Sequence, residues 1–146
     1  MAQKTPPQIV IIEDNPADIR LLRQALDQHE VEYDLQVLTD GESALEFLRV
    51  NCHIGGSPCL IVLDLHLPRY DGAEVLRAIR NTPTLSHVDV AVLTTVASPA
   101  EEAEVLSLGV SLYARKPTDW DEFIALGGEL LRLCYGEKAR VAGPPV

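Results

Sequence analysis

Three carboxylates, a hydroxyl and a lysine stand at the ends of successive apolar runs. Glu13 and Asp14 directly follow the run 9–12, and Asp64 directly follows 60–63. Thr94 directly follows 88–93, and Lys116 stands two residues beyond 110–114. Carboxylates gathered on one rim repel one another unless a cation joins them. Oxygen ligands suit a hard ion, and Mg²⁺, which keeps several of its waters, is the natural choice. Asp64 follows the most continuously apolar run and should be central. It can attack a phosphoryl group to give an aspartyl phosphate, with Glu13 and Asp14 holding the metal. The metal would bridge a phosphoryl oxygen and neutralise developing charge. Lys116 would pair first with Asp64 and then with a second phosphoryl oxygen, and Thr94 would donate its hydroxyl to a third. The competing reading is that Asp and Thr at strand ends merely cap the helices that follow. Each residue alone is a weak signal, but the five together are harder to explain as caps.

The elements that must position these groups alternate regularly. Residues 9–12, 33–38, 60–63, 88–93 and 110–114 read as short apolar strands. The third is apolar on both sides and so belongs at the centre of a parallel sheet. Asn15 can cap a first helix with Pro16 in its first turn. Ile19, Leu22, Ala25 and Leu26 then recur at helical spacing to about His29. Further helices carry Ala44, Leu45 and Leu48, then Val75, Leu76 and Ile79. Another runs from Pro99 to Leu108 with Gly109 as its C-cap, and the last runs from Asp119 to Cys134. Gly55, Gly56 and Pro58 mark a loop over 51–58. Five βα repeats predict an α/β fold: a doubly wound, five-stranded parallel sheet, flavodoxin-like (βα)5, with strand order 2-1-3-4-5. Under that order the chain reverses beside the first and third strands, and ligand chemistry belongs beyond their carboxyl ends.

Composition bounds what this rim can serve. The 146 residues form one domain, expected over 8–134 with a short tail over 135–146. A chain of this mass buries about 68% of its extended surface, so it needs no disulfide framework. With 22 acidic against 12 basic residues, the net charge is -10. No basic cluster offsets this, so neither direct nucleic-acid binding nor an anionic membrane surface is expected. Cys52, Cys59 and Cys134 are too few and odd in number for a disulfide scaffold. Neither a signal core nor a membrane-length apolar run is evident, which points to a soluble, reducing, cytoplasmic setting.

Four segments carry a resemblance: IVIIEDNP at 9–16, LIVLDLHLPRYDG at 60–72, VAVLTT at 90–95 and YARKP at 113–117. Their intervals agree as well, with 30 residues from Asp64 to Thr94, 19 from Thr94 to Tyr113 and three from Tyr113 to Lys116. On these the sequence resembles the receiver domain of bacterial two-component response regulators, the CheY-like family, over about residues 8–134. The resemblance implies the 2-1-3-4-5 order, which the CheY-like fold exemplifies. It implies Asp64 as phosphoacceptor, Glu13 and Asp14 as the acidic pair and Asp14 as the more direct metal ligand. The His66 backbone carbonyl would be a further Mg²⁺ ligand. Thr94 and Lys116 would be the conserved hydroxyl and lysine, with the Lys116–Pro117 bond cis. Tyr113 would be an aromatic switch that turns inward as Thr94 is drawn to the phosphate. The phosphoryl donor would be a phosphohistidine on a sensor histidine kinase, with autophosphorylation and autodephosphorylation in the receiver itself. The loop over 52–58 and the VLTT segment resemble stand-alone phytochrome-associated regulators, making a bacteriophytochrome a candidate partner in a phosphorelay.

Several details refine this picture. The His66 side chain could approach an attacking water or simply face solvent, and Val96 could shield the phosphoryl group and slow its loss. Cys52, His53 and Cys59 are poorly spaced for zinc, and Cys59 is expected to be buried. Gly72 should serve loop geometry, and Asp71 should not bind metal. The last helix carries two apolar stripes, one through Trp120, Phe123, Ile124, Gly127, Leu131 and Cys134, the other through Leu126, Leu130 and Leu133. One should pack on the sheet. The other is expected to face a second copy, giving a homodimer, unless both form one wide core-facing band. The dozen residues after 134 leave no room for a DNA-binding output domain, so output through protein contacts is expected. Two alternatives stay open: a receiver-like interaction module that is not phosphorylated, and a small metal-dependent phosphohydrolase, which would call for an acid where His66 stands.

Overall fold

A computed structural model describes residues 6–51, 58–95 and 98–135. Five strands, β1 (Gln8–Ile12), β2 (Asp34–Leu38), β3 (Leu60–Asp64), β4 (Asp89–Thr94) and β5 (Leu112–Arg115), form a parallel sheet in the order β2-β1-β3-β4-β5. Five helices alternate with them: α1 (Pro16–Asp27), α2 (Gly41–Asn51), α3 (Gly72–Asn81), α4 (Pro99–Ser107) and α5 (Trp120–Tyr135). The expected doubly wound fold and strand order are therefore observed.

The apolar runs divide between two faces because successive strand residues point to opposite sides. Val10, Ile12, Ile61, Leu63, Val90 and Val92 pack beneath α2, α3 and the Val105 side of α4. Ile9, Ile11, Leu60, Val62, Ala91 and Leu93 pack beneath α1 and α5. Every residue of β3 is buried, as a central strand covered on both faces requires.

Register aligns the functional rim. Ile12 pairs with Leu63, Leu63 with Val92, and Val92 with Tyr113. One step further, Glu13, directly after β1, lies level with Asp64, the last residue of β3. The strand ends differ slightly from the sequence expectation. Asp64 and Thr94 close their strands rather than follow them, and Lys116 follows β5 directly rather than two residues later. The Lys116 N–H donates to the Thr94 carbonyl at 2.8 Å, which extends the ladder to the lysine. The Lys116–Pro117 bond is trans, contrary to the family-based expectation of cis. Trans is the lower isomer of a prolyl bond by about 0.5–1 kcal/mol.

Caps fix where the helices start. The Ala17 N–H donates to Asn15 Oδ1 at 2.9 Å, so Asn15 caps α1 as expected. Asp119 caps α5 through the Glu122 N–H at 2.8 Å instead of opening the helix. α4 ends at Ser107, and Gly109 follows its Leu108 cap with φ of +77°, the left-handed region that glycine enters without a Cβ clash. A 3₁₀ turn, Pro83–Leu85, which the sequence pattern does not signal, lies between α3 and β4.

Two expectations about α5 and the cysteines fail. Phe123, Leu126, Gly127, Leu130 and Leu131 are all buried in the chain's own core, and Leu133 packs against it. The two stripes are one wide band, so the second stripe does not lie free. The breadth has a local cause: Gly127 meets the backbone of Ala25 so closely that an added Cβ would lie 2.9 Å from the Ala25 carbonyl oxygen. α5 thus nests against α1 and the sheet together instead of resting on one ridge. Cys59 and Cys134 are joined in a disulfide, with Cα atoms 5.0 Å apart across a sequence separation of 75. Cys59 is half-buried rather than buried. α5 runs back against the strand direction, so its last turn returns to the residue just before β3. Spacing in the sequence cannot reveal that pairing. Cys52, His53, Val96 and the tail beyond Tyr135 lie outside the described residues.

Candidate functional site

The rim brings the expected residues together around Lys116. Its Nζ lies 2.7 Å from Glu13 Oε1, 2.9 Å from Asp18 Oδ2 and 3.3 Å from Asp64 Oδ2. The side chains of Lys116, Glu13 and Asp64 are only 11%, 3% and 5% exposed, whereas Asp14 faces solvent. Burial of the strand ends creates this pocket. β1 and β3 are central and covered on both faces, so the first residues at their carboxyl ends remain inside the layer.

Electrostatics follows from that burial. Burial raises the Glu13 carboxyl, Lys116 pulls it down, and the Asp64 charge raises it again; the net is a rise to about 7. Burial alone would lower the Lys116 ammonium, but its hydrogen bonds to Glu13 and Asp18 and the charges of Glu13 and Asp64 hold it above the usual lysine range.

Carboxylate oxygens of Glu13, Asp14 and Asp64 all lie within 4.8 Å of one another. Donors that are all oxygen, two buried and one open to water, fit a hard divalent cation that retains part of its hydration. The cluster carries more negative charge than one lysine cancels, which a divalent ion would relieve. The His66 N–H donates to Asp64 Oδ1 at 3.1 Å and fixes the carboxylate while Oδ2 faces Lys116.

Thr94 is buried, and its Oγ1 lies 3.5 Å from His66 Nδ1. The exposed His66 ring reaches Glu101 in α4, with Nε2 3.7 Å from Oε1. Tyr113 is half-buried against the α2–α3–α4 core, and its phenol is held above its ordinary value by burial and by Glu102 and Glu101. Asp71 does not join the acidic cluster. It caps α3, accepting from the Ala73 N–H at 3.2 Å. Gly72 donates to the Leu65 carbonyl at 2.9 Å, and a Cβ there would lie 2.5 Å from Leu65 Cα. Only glycine lets this loop press against the residue next to Asp64. An open cleft of about 630 Å³, lined by Asp14, His66, Pro68, Arg69, Tyr70, Asp71 and Glu101, leads to the site.

Sequence reasoning missed Asp18 and Glu101. Asp18 stands four residues after Asp14, in the first turn of α1, where an acid is ordinarily read as favouring the helix dipole. Its turn towards Lys116, 98 residues away, is a tertiary event.

The family model described as "Response regulator receiver domain" matches residues 9–126. Response regulator Rcp1 of Synechocystis sp. is 36% identical over 117 residues, covering 78% of this chain and 80% of that protein. The crystal structure of the Mn²⁺-bound form of Rcp1 is similar, with a TM-score of 0.78, 30% identity, and coverage of 94% of this chain and 100% of that one. The phosphorylated cyanobacterial phytochrome response regulator RcpA gives a TM-score of 0.81 at 30% identity, covering 95% and 100%.

Proposed function

The chain belongs to the response regulator receiver domain family, and we propose that it accepts a phosphoryl group on Asp64 from the phosphohistidine of a sensor histidine kinase. The observation that carries this is the Lys116 ammonium set between Glu13 and Asp64 on the rim where the acidic cluster lies. Asp64 Oδ attacks phosphorus, the P–N bond of the donor breaks, and the imidazole leaves as the phosphoaspartate forms. A Mg²⁺ ion held by Glu13, Asp14, Asp64 and the His66 carbonyl would supply charge neutralisation for the transferring group. Lys116 answers a second phosphoryl oxygen. Thr94, at the end of β4, is placed to answer a third, and its departure from His66 would let Tyr113 repack against α4. The population shift this needs is only a few kcal/mol of differential interaction.

Similarity to phytochrome response regulators supports a bacteriophytochrome-type kinase as partner. No helix among the described residues is long and apolar enough to cross a membrane. Receiver boundaries of 8–134 and output through protein contacts complete the reading. A homodimer through the helix-five region would use what that region leaves outside, chiefly Trp120, which is 39% exposed. Sedimentation at several concentrations tests it, and a concentration-independent monomer in both phosphorylation states refutes it.

The direct experiment is intact-protein mass after incubation with Mg²⁺ and acetyl phosphate, beside Asp64→Asn. One added phosphoryl group, labile in base and missing from the variant, supports the reading. A folded, Mg²⁺-binding protein that gains nothing, even from a phosphorylated kinase, favours the interaction module. The phosphohydrolase alternative finds little support, since the His66 ring contacts Thr94 and Glu101 and no acid stands in its place.

A further inference from the structure

We infer that Asp18 is a positioning residue for cation binding: it acts through Lys116, drawing the ammonium off the carboxylates that must receive the metal. This rests on the proposed divalent-cation site at Glu13, Asp14 and Asp64.

Lys116 has three protons to donate and three carboxylates around it. Two of these, Glu13 and Asp64, belong to the acidic cluster; Asp18 does not. A divalent cation entering that cluster competes for the negative charge of Glu13 and Asp64, which the ammonium already engages through Oε1 and Oδ2. Lys116 must then give up part of its pairing. It is almost enclosed and water cannot fully replace the lost acceptors, so giving them up without a substitute is costly. Asp18 is that substitute. It holds Nζ at 2.9 Å, closer than Asp64 does at 3.3 Å. It sits on α1, outside the strand-end carboxylates, and is itself only partly buried. Without its charge the ammonium settles wholly on Glu13 and Asp64 and blocks the cation.

A helix-dipole role alone would make a different prediction. Asp18 lies in the first turn of α1, and Asn15 already caps that helix. Replacing Asp18 by Asn would then cost some stability but leave cation affinity to simple long-range charge. That contribution is weak between solvated groups and screened by salt.

The test is a cycle measured by isothermal titration of Mg²⁺ into the full chain in physiological salt. Asp18→Asn keeps the side-chain size and should weaken Mg²⁺ binding about tenfold, and Asp18→Glu should restore it to within about twofold of wild type. In a Lys116→Met background, Asp18→Asn should change affinity by less than about twofold, because the ammonium it manages is gone. Thermal melts establish that each variant is folded before titration. Equal affinity of wild type and Asp18→Asn overturns this inference alone. So does an equal loss in both backgrounds, which would assign the effect to bare charge. A folded wild type that binds no Mg²⁺ overturns the proposed cation site and this inference with it.

Discussion

Replacing Lys116 by Met keeps an unbranched side chain one atom shorter and removes the charge that Glu13, Asp18 and Asp64 share. Truncating one partner of a buried ion pair costs about 3–5 kcal/mol, because the other charge is left unpaired. Here the loss has a limit set by protonation. The Glu13 carboxyl already sits near pH 7 with the lysine present, and losing Lys116 pushes it higher. Each unit of pH above a group's value adds about 1.4 kcal/mol to the cost of keeping it neutral. The metal-free variant should therefore lose about 3 kcal/mol at pH 8 and progressively less towards pH 6, where Glu13 takes up a proton. The sign is consistent with the wild type. A carboxyl raised from 4.5 to about 7 in the folded state stabilises below 4.5 and loses that contribution as pH rises through 7. The assay is thermal unfolding in chelator and in excess Mg²⁺ from pH 6 to 8. At roughly 3 °C per kcal/mol for a chain of this length, the deficit at pH 8 is about 9 °C. Mg²⁺ should recover most of it, since the ion replaces the missing positive charge. A deficit that is independent of pH and untouched by Mg²⁺ would trace the loss to packing and overturn the unpaired-carboxylate account.

Other perturbations reach the same site from further away. Gly72→Ala places a Cβ against the Leu65 backbone and should cost about 1–3 kcal/mol in denaturant melts, while weakening Mg²⁺ binding by displacing the loop beside Asp64. Arg80 donates to the carbonyls of Val88, Ser86, Leu108 and Gly109 at 2.9, 3.3, 3.1 and 2.7 Å, tying the end of α4 to the start of β4. Arg80→Ala should lose about 2–3 kcal/mol, and Arg80→Lys should recover only part, since an ammonium cannot span four acceptors in that fork. Cys59→Ser should cost about 2–4 kcal/mol relative to the oxidised protein. Added reductant should bring wild type down to the variant, and a reductant-insensitive melting temperature would count against the bond.

Much of this site could be read in the sequence because α/β architecture links chain position to place. A fully apolar run such as β3 can only be central, and the polar residue that ends it then lies on the carboxyl rim. By that rule Glu13, Asp14, Asp64, Thr94 and Lys116 all fall on one rim. Asn15 as a cap and Gly72 as a loop residue were equally legible. Contacts across distances the pattern does not encode come from packing alone. Asp18 bears the marks of a helix-dipole acid, yet the crossover from β5 brings Lys116 to it. The second leucine stripe of α5 has the look of a spare surface, but the close approach at Gly127 buries it. Cys59 and Cys134 are unremarkable by spacing, and only the reversal of α5 against the strands makes them neighbours. Periodicity reports which face of an element is apolar and where it ends. Which two elements meet, and how closely, is settled by packing, so partner choice within the site had to come from the fold.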